Sequence, residues 1–249
     1  MNLIKRSVGF LGLLGAASLA HAGVTSTVTL TNDYDFRGFT QSAKDPAAQA
    51  SVDYAHESGF YVGAWGSNVD FGPEIGSLEE VNFEVDAYAG FTKALENGVT
   101  YDLGLVTYNY PEESDYNYVE VYGSVAKDWF KGKLWYSPKF GGNVAEDIAG
   151  TDNISAWYWD FNGTWALPQN LSLTVHGGYS TGDYWDKVIG DDVFDYSIGL
   201  GYTYSHFNFG AKWVASSTDA HFACTGSNVF CNDARAIVTV ATTFPWKSE

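Results

Sequence analysis

From Ile154 to Ala166 the chain reads Ile-Ser-Ala-Trp-Tyr-Trp-Asp-Phe-Asn-Gly-Thr-Trp-Ala. Taking every second residue puts Ser155, Trp157, Trp159, Phe161, Gly163 and Trp165 on one side and Tyr158, Asp160, Asn162 and Thr164 on the other. Side chains alternate faces along a strand, so the segment predicts a strand with one aromatic and one polar face. On a helix the three tryptophans would scatter around the cylinder. A soluble sandwich would bury the aromatic face and wet the polar one, whereas a membrane barrel turns the apolar face to lipid and the polar face to a lumen.

The pattern recurs along the chain. Val24–Arg37 sets Val24, Val28, Leu30, Tyr34 and Phe36 against Thr25, Thr27, Thr29, Thr31, Asp33, Asp35 and Arg37. Similar alternation runs through Ala48–His56, Val81–Phe91, Val99–Tyr108, Tyr116–Asp128, Leu171–Tyr179, Phe194–Tyr204, Phe207–Ala215 and Ala234–Phe244. Phe60–Val69 is apolar on both faces and has no assignable parity, and Pro138 weakens a strand over Leu134–Phe140. No helix-period stretch interrupts the series. The fold class this predicts is all-β: a transmembrane antiparallel β-barrel of about twelve strands, with ten or fourteen as alternatives.

The connections alternate in length. Those at 38–46, 70–79, 111–115, 141–153, 181–193 and 216–233 are long. The intervening ones, at 56–59, 95–98, 130–132, 167–170 and Ser205, are short. Outer-membrane barrels have short periplasmic turns and longer outer loops, while Greek-key sandwiches have no reason to alternate. The N-terminus agrees. Lys5 and Arg6, the apolar run Val8–Ala17 and Ala20-His21-Ala22 form a secretory signal peptide, giving residues 1–22 as signal and 23–249 as the barrel. The expected location is therefore the outer membrane of a Gram-negative bacterium.

Composition then narrows the function classes. Removing the signal leaves 11 Lys+Arg (13 minus 2) against 30 Asp+Glu, a net charge near −19. Nucleic acid, which needs a basic surface, is excluded as a partner; outer-membrane lipid and small solutes are the partners expected. Mean hydropathy is only −0.16, as lumen-facing polar residues offset lipid-facing apolar ones.

The parity assigns a lumen wall. Its acids are Asp33, Asp35, Asp53, Glu84, Asp86, Asp102, Glu120, Asp128, Asp160 and Asp195, and its bases Arg37, Lys139, Lys212 and Arg235. Such an excess favours cations if water fills the bore, but a barrel of this size is narrow, and its charges could instead pair into a plug. Arg37, beside Asp33 and Asp35, is both a structural partner and a constriction residue. Cys224 and Cys231 in the last long loop suggest one disulfide. No loop has EF-hand spacing, and only His221 lies near the cysteines, so no metal and no cofactor is expected. For catalysis, His176 with Thr174 and Ser180 is the best set on one strand face. Ser180 lies roughly 13 Å from His176 along a strand, so no catalytic residues are assigned and the protein is not expected to be an enzyme.

Several stretches resemble the TorF-family porins, a bacterial outer-membrane family of conserved hypothetical proteins. They are Thr31-Asn32-Asp33-Tyr34-Asp35-Phe36-Arg37-Gly38 with Thr40-Gln41, the run from Asp53 to Asp70, Glu84 to Gly90, Tyr101-Asp102-Leu103-Gly104 and Tyr110-Pro111. The resemblance is densest in the first half. It implies an outer-membrane barrel and brings no substrate and no catalytic residues. Barrels of this kind usually end in an aromatic residue, whereas here Phe244 is followed by Pro245-Trp246-Lys247-Ser248-Glu249. The function expected is a porin-like channel for passive diffusion of small cationic or neutral solutes. The alternatives are a plugged structural barrel without conductance and, less favoured, an outer-membrane lipid-modifying enzyme.

Overall fold

The computed structural model describes residues 22–72, 80–217 and 228–246. The expected signal segment, Ala22 apart, lies outside these residues. Twelve strands form one closed antiparallel barrel. They are β1 (Gly23–Thr31), β4 (Ala47–Ala55), β5 (Phe60–Asn68), β6 (Phe83–Ala94), β7 (Thr100–Asn109), β8 (Tyr118–Lys127), β9 (Phe130–Ser137), β10 (Ala156–Ala166), β11 (Leu171–Thr181), β12 (Val193–Tyr204), β13 (Phe207–Ser216) and β14 (Arg235–Phe244). The two remaining strands, β2 (Asp35–Phe36) and β3 (Phe39–Thr40), pair only with each other. Each wall strand pairs with its neighbour in sequence, and β1 closes the ring against β14 with Leu30 opposite Val240 and Thr31 opposite Thr239. Closure leaves no edge of the wall unpaired, the condition for a sheet to sit in lipid.

The period-2 reading holds over the wall. Val28, Leu30, Trp157, Trp159, Phe161, Ile198, Leu200, Trp213 and Val238 are exposed on the outer surface. Their neighbours of opposite parity, Tyr158, Glu84, Asp86, Glu120, Tyr122 and Asp195, are buried inside. An apolar surface this continuous would be an association site in water; in a bilayer it is the solvated face. In the stretch without assignable parity, Phe60 and Val62 turn out and Tyr61, Trp65 and Ser67 turn in.

Both ends of the ring, at Gly23 and Phe244, lie at the short-turn rim. Gly98 closes one of these turns at φ +81, a left-handed conformation that costs glycine nothing. The turn expected at 130–132 is strand instead. Asp128 takes φ +54, so Asp128-Trp129 makes a two-residue hairpin between Lys127 and Phe130. Asp is among the residues that tolerate this region, and the turn therefore sits three residues earlier than Lys131-Gly132 suggested. At the other rim the link 138–155 carries α1 (Gly142–Ala149), a helix the sequence pattern did not announce. It packs through Ala145 against Ile154 and Val188.

Candidate functional site

The largest departure from the sequence expectation begins at Asn32. The strand expected to run from Val24 to Arg37 stops at Thr31. Asn32 hands the β1 ladder to its own side chain: Oδ1 accepts from the Val238 N–H at 2.7 Å, and Nδ2 donates to the Ala236 carbonyl at 3.3 Å. Its backbone N–H still donates to the Val238 carbonyl at 3.2 Å, so Asn32 is the last residue held on β14, and after it the main chain turns inward. Residues 33–42 then lie inside the barrel as a hairpin of β2 and β3, turning at Arg37-Gly38 with φ +53 and +88. Tyr34 and Phe36, expected on the lipid face, are therefore in the lumen. Tyr34 is 3% exposed and belongs to an internal aromatic core with Tyr88, Tyr108, Tyr110, Tyr122, Trp135 and Tyr158. Val81, also expected outside, is buried in that core just before β6 begins.

Ion pairs hold the hairpin on two sides. At its root, Arg235 on β14 pairs with Asp33 through Nε and with Asp35 through Nη2 at 2.9 Å, and its Nη1 donates to the Gly38 carbonyl at 2.9 Å. Lys212 on β13 adds a 2.7 Å pair to the second oxygen of Asp35. Burial pushes the Asp35 carboxyl up, but Lys212 and Arg235 outweigh burial and hold it below the usual carboxylate range. At the far side, Arg37 crosses the lumen to Glu120 on β8, with 2.6 Å between Nη2 and Oε2. Its guanidinium lies 4.6 Å from the ring centre of Phe36 and 4.4 Å from that of Tyr158. Burial opposes its charge, and Glu120 overrides burial, holding Arg37 above its ordinary value. Tyr108 donates a second bond to Glu120, at 2.9 Å.

Most of the acids assigned to the lumen already serve a protein donor. Tyr88 donates to Asp53, Tyr61 to Asp102 at 2.7 Å and Tyr34 to Glu84 at 3.0 Å. His176 bridges Asp195, 2.7 Å from Nε2, and Asp160, 3.3 Å from Nδ1. Tyr158 also donates to Asp195, at 3.1 Å. These tyrosines can lie flat on the wall because glycine faces them: a Cβ on Gly63 would stand 2.5 Å from the Tyr88 ring.

The structure also corrects the wall assignment. Asp128 sits exposed in the β8–β9 turn, not in the lumen. Lys139 lies in the 138–155 link and pairs with Glu146 at 2.6 Å. Sequence reading missed Lys131 and Lys133, which face inward from β9 because that strand starts at Phe130. The Lys133 ammonium rests 3.5 Å from the Tyr122 ring centre and 3.6 Å from that of Trp135. Their signal was present in the parity shared with Trp135, hidden by the misplaced turn. The expected Cys224–Cys231 pair lies outside the described residues because Cys224 does; Cys231 is fully buried.

Comparison with solved structures returns membrane barrels. A membrane protein solved in work on in-meso crystallization superposes with a TM-score of 0.55 at 12% identity, over 92% of this chain and 86% of that one. The NanC porin gives 0.55 at 10% identity, over 90% and 100%. Outer membrane phospholipase A from Escherichia coli gives 0.49 at 12% identity, over 89% and 92%. The likeness to the NanC porin establishes the outer-membrane barrel fold and nothing of the solute. No curated protein matches the chain by sequence. A family model described as "Bacterial protein of unknown function (Gcw_chp)" matches residues 15–244, and the chain belongs to that family.

Proposed function

We propose that the protein is a porin-like outer-membrane channel for passive diffusion of small solutes, of the TorF type, and that the 33–42 hairpin is its gate. The observation that carries this reading is the origin of the obstruction. A connecting segment, 33–42, occupies the bore and is held by ion pairs, hydrogen bonds and packing against inward wall aromatics. A segment outside the wall ladder can leave without breaking the barrel. On this reading the long links face the cell exterior and the short turns the periplasm.

The charge preference is for cations or neutral solutes. It is weaker than the sequence parity suggested, since Lys131 and Lys133 join the inward bases while Asp128 leaves the acids and Lys139 the bases. Both ring nitrogens of His176 are engaged by acceptors, so we read it as a structural bridge and assign no catalytic role. The Cys224–Cys231 disulfide stays part of the proposal; mass spectrometry without reductant checks it. The decisive experiment is planar-bilayer recording of the purified protein. Wild type should show small or rare openings, and Arg37→Met/Glu120→Gln larger or longer ones, with reversal potentials favouring K⁺ most clearly at low salt. A folded double variant that conducts no more than wild type would support the plugged structural barrel instead.

A further inference from the structure

We infer that Glu84 and Asp86 hold one proton between them and that this shared proton locks the inward segment in place. The two residues are consecutive inward positions on β6, and each is 1% exposed. Residues two apart on a strand share a face, so the two carboxyl groups stand side by side on the inward face of β6. Both oxygens of Asp86 lack a hydrogen bond from any protein donor, and Glu84 accepts from Tyr34. Neither acid has a Lys, Arg or His partner among the described ion pairs.

Among the described residues the surroundings supply no compensating charge. Tyr34 faces the pair from the inward segment, Tyr110 from the link after β7, Asn109 from the end of β7, and Glu120 and Tyr118 from β8. Arg37, which stands on the same inward hairpin as Tyr34, is committed to Glu120. Two ionised carboxylates side by side, both out of water, repel each other and lack solvation. A metal ion is not the compensator that the geometry offers, since no group of three or more His, Cys, Asp or Glu is placed to hold one among the described residues. A proton turns the repulsion into a donor–acceptor bond and leaves Glu84 free to accept from Tyr34.

Tyr34 is the link between this pair and the gate. It belongs to the segment that turns into the lumen, and its hydroxyl bonds the pair directly. Loss of the proton puts a second buried negative charge beneath it and weakens its seat. The lock is thus tighter at low pH and looser at high pH. The effect on solute flow rests on the gated-channel reading; the proton and its hold on the segment do not.

The test uses the full mature barrel in detergent micelles. Infrared spectroscopy at neutral pH should show the carbonyl stretch of a protonated carboxyl, fading as pH rises and absent in Asp86→Asn. Hydrogen exchange of residues 33–42, corrected for the intrinsic pH dependence of exchange, should report an opening constant that rises in the same interval. The rise should be up to about tenfold per pH unit, the limit for one released proton, and should vanish in the variant. If Asp86→Asn does not fold, Glu84→Gln serves the same purpose. No protonated-carboxyl band in wild type, or a band and pH response unchanged in the variants, overturns the proposal. A titrating band and matching exchange without conductance upholds the lock and removes the channel.

Discussion

The two ion-paired attachments of the inward hairpin use the same chemistry in different arrangements. At the root, two bases on adjacent strands of the wall, Arg235 and Lys212, meet two acids of the hairpin, Asp33 and Asp35, and Arg235 also takes a backbone carbonyl. At the far side, a single arginine of the hairpin meets a single wall acid, and Arg37 Nη1 and Glu120 Oε1 make no hydrogen bond. The charged groups at the root satisfy one another several times over, so breaking one bond there leaves others standing. The crossing pair is single, and aromatic rings surround the cation. A device with one redundant and one single attachment can release at one side while staying tethered at the other. If the hairpin is the gate proposed above, that asymmetry puts its hinge at the root and its release at Arg37.

The sharpest way to break this comparison is to remove the root. Arg235→Ala leaves Asp33 buried without its cation, and the cost should be large, about 3–5 kcal/mol, as for any buried pair stripped of one partner. Loss of heat-modifiable migration on semi-native gels and a lower urea midpoint would register it. At the crossing pair, Arg37→Met alone strands Glu120, whereas Arg37→Met/Glu120→Gln removes the charge from both sides. The double variant should recover at least about 1 kcal/mol of what the single one loses, a coupling read from a double-mutant cycle in urea. Additive losses would mean that Arg37 acts through its aromatic contacts and not through Glu120.

Smaller effects separate the members of the root. Lys212→Ala should cost about 1 kcal/mol or less, because the Lys212 side chain is partly exposed and Asp35 keeps Arg235. A loss equal to that of Arg235→Ala would refute the redundancy. Acid should also distinguish the sites. The Asp35 carboxyl is held below its unfolded value, so its contribution is present above about pH 4 and is lost as pH falls through the folded value. Between neutrality and about pH 5 the root should hold unchanged, and protease access to residues 33–42 should rise only below that. Access rising already near pH 6 would contradict it.

How much of this was legible varies by residue. Trp157, Trp159, Phe161 and Asp160 were placed on their correct faces from parity alone, and the strand count and the alternation of links followed from the same local signal. Asp33, Asp35 and Arg37 do lie inside the barrel, but the pairing expected among them is not formed: Arg37 meets Glu120, and the two acids meet Arg235 and Lys212. Their support was misread: they stand on a hairpin inside the bore, because nothing in the alternation marks where Asn32 replaces the ladder with its side chain. Lys131 and Lys133 were lost to one misplaced turn, and Lys139 and Asp128 were gained wrongly by extending parity past strand ends.

What the sequence determined by itself was the identity of the surfaces. A strand repeats every two residues, so each residue's face is set by its immediate neighbours, and lipid on one side with polar groups on the other leaves a readable pattern. What only the tertiary structure decided was whom each inward charge meets. Arg235 and Asp33 are 202 residues apart and Arg37 and Glu120 83 apart. No local periodicity constrains such pairs, because they are chosen by ring closure and by the turn of one link into the bore. The difference between an open acidic channel and a locked one rests on those long-range choices, since an acid lining water attracts cations while the same acid bonded to arginine or tyrosine holds the bore shut.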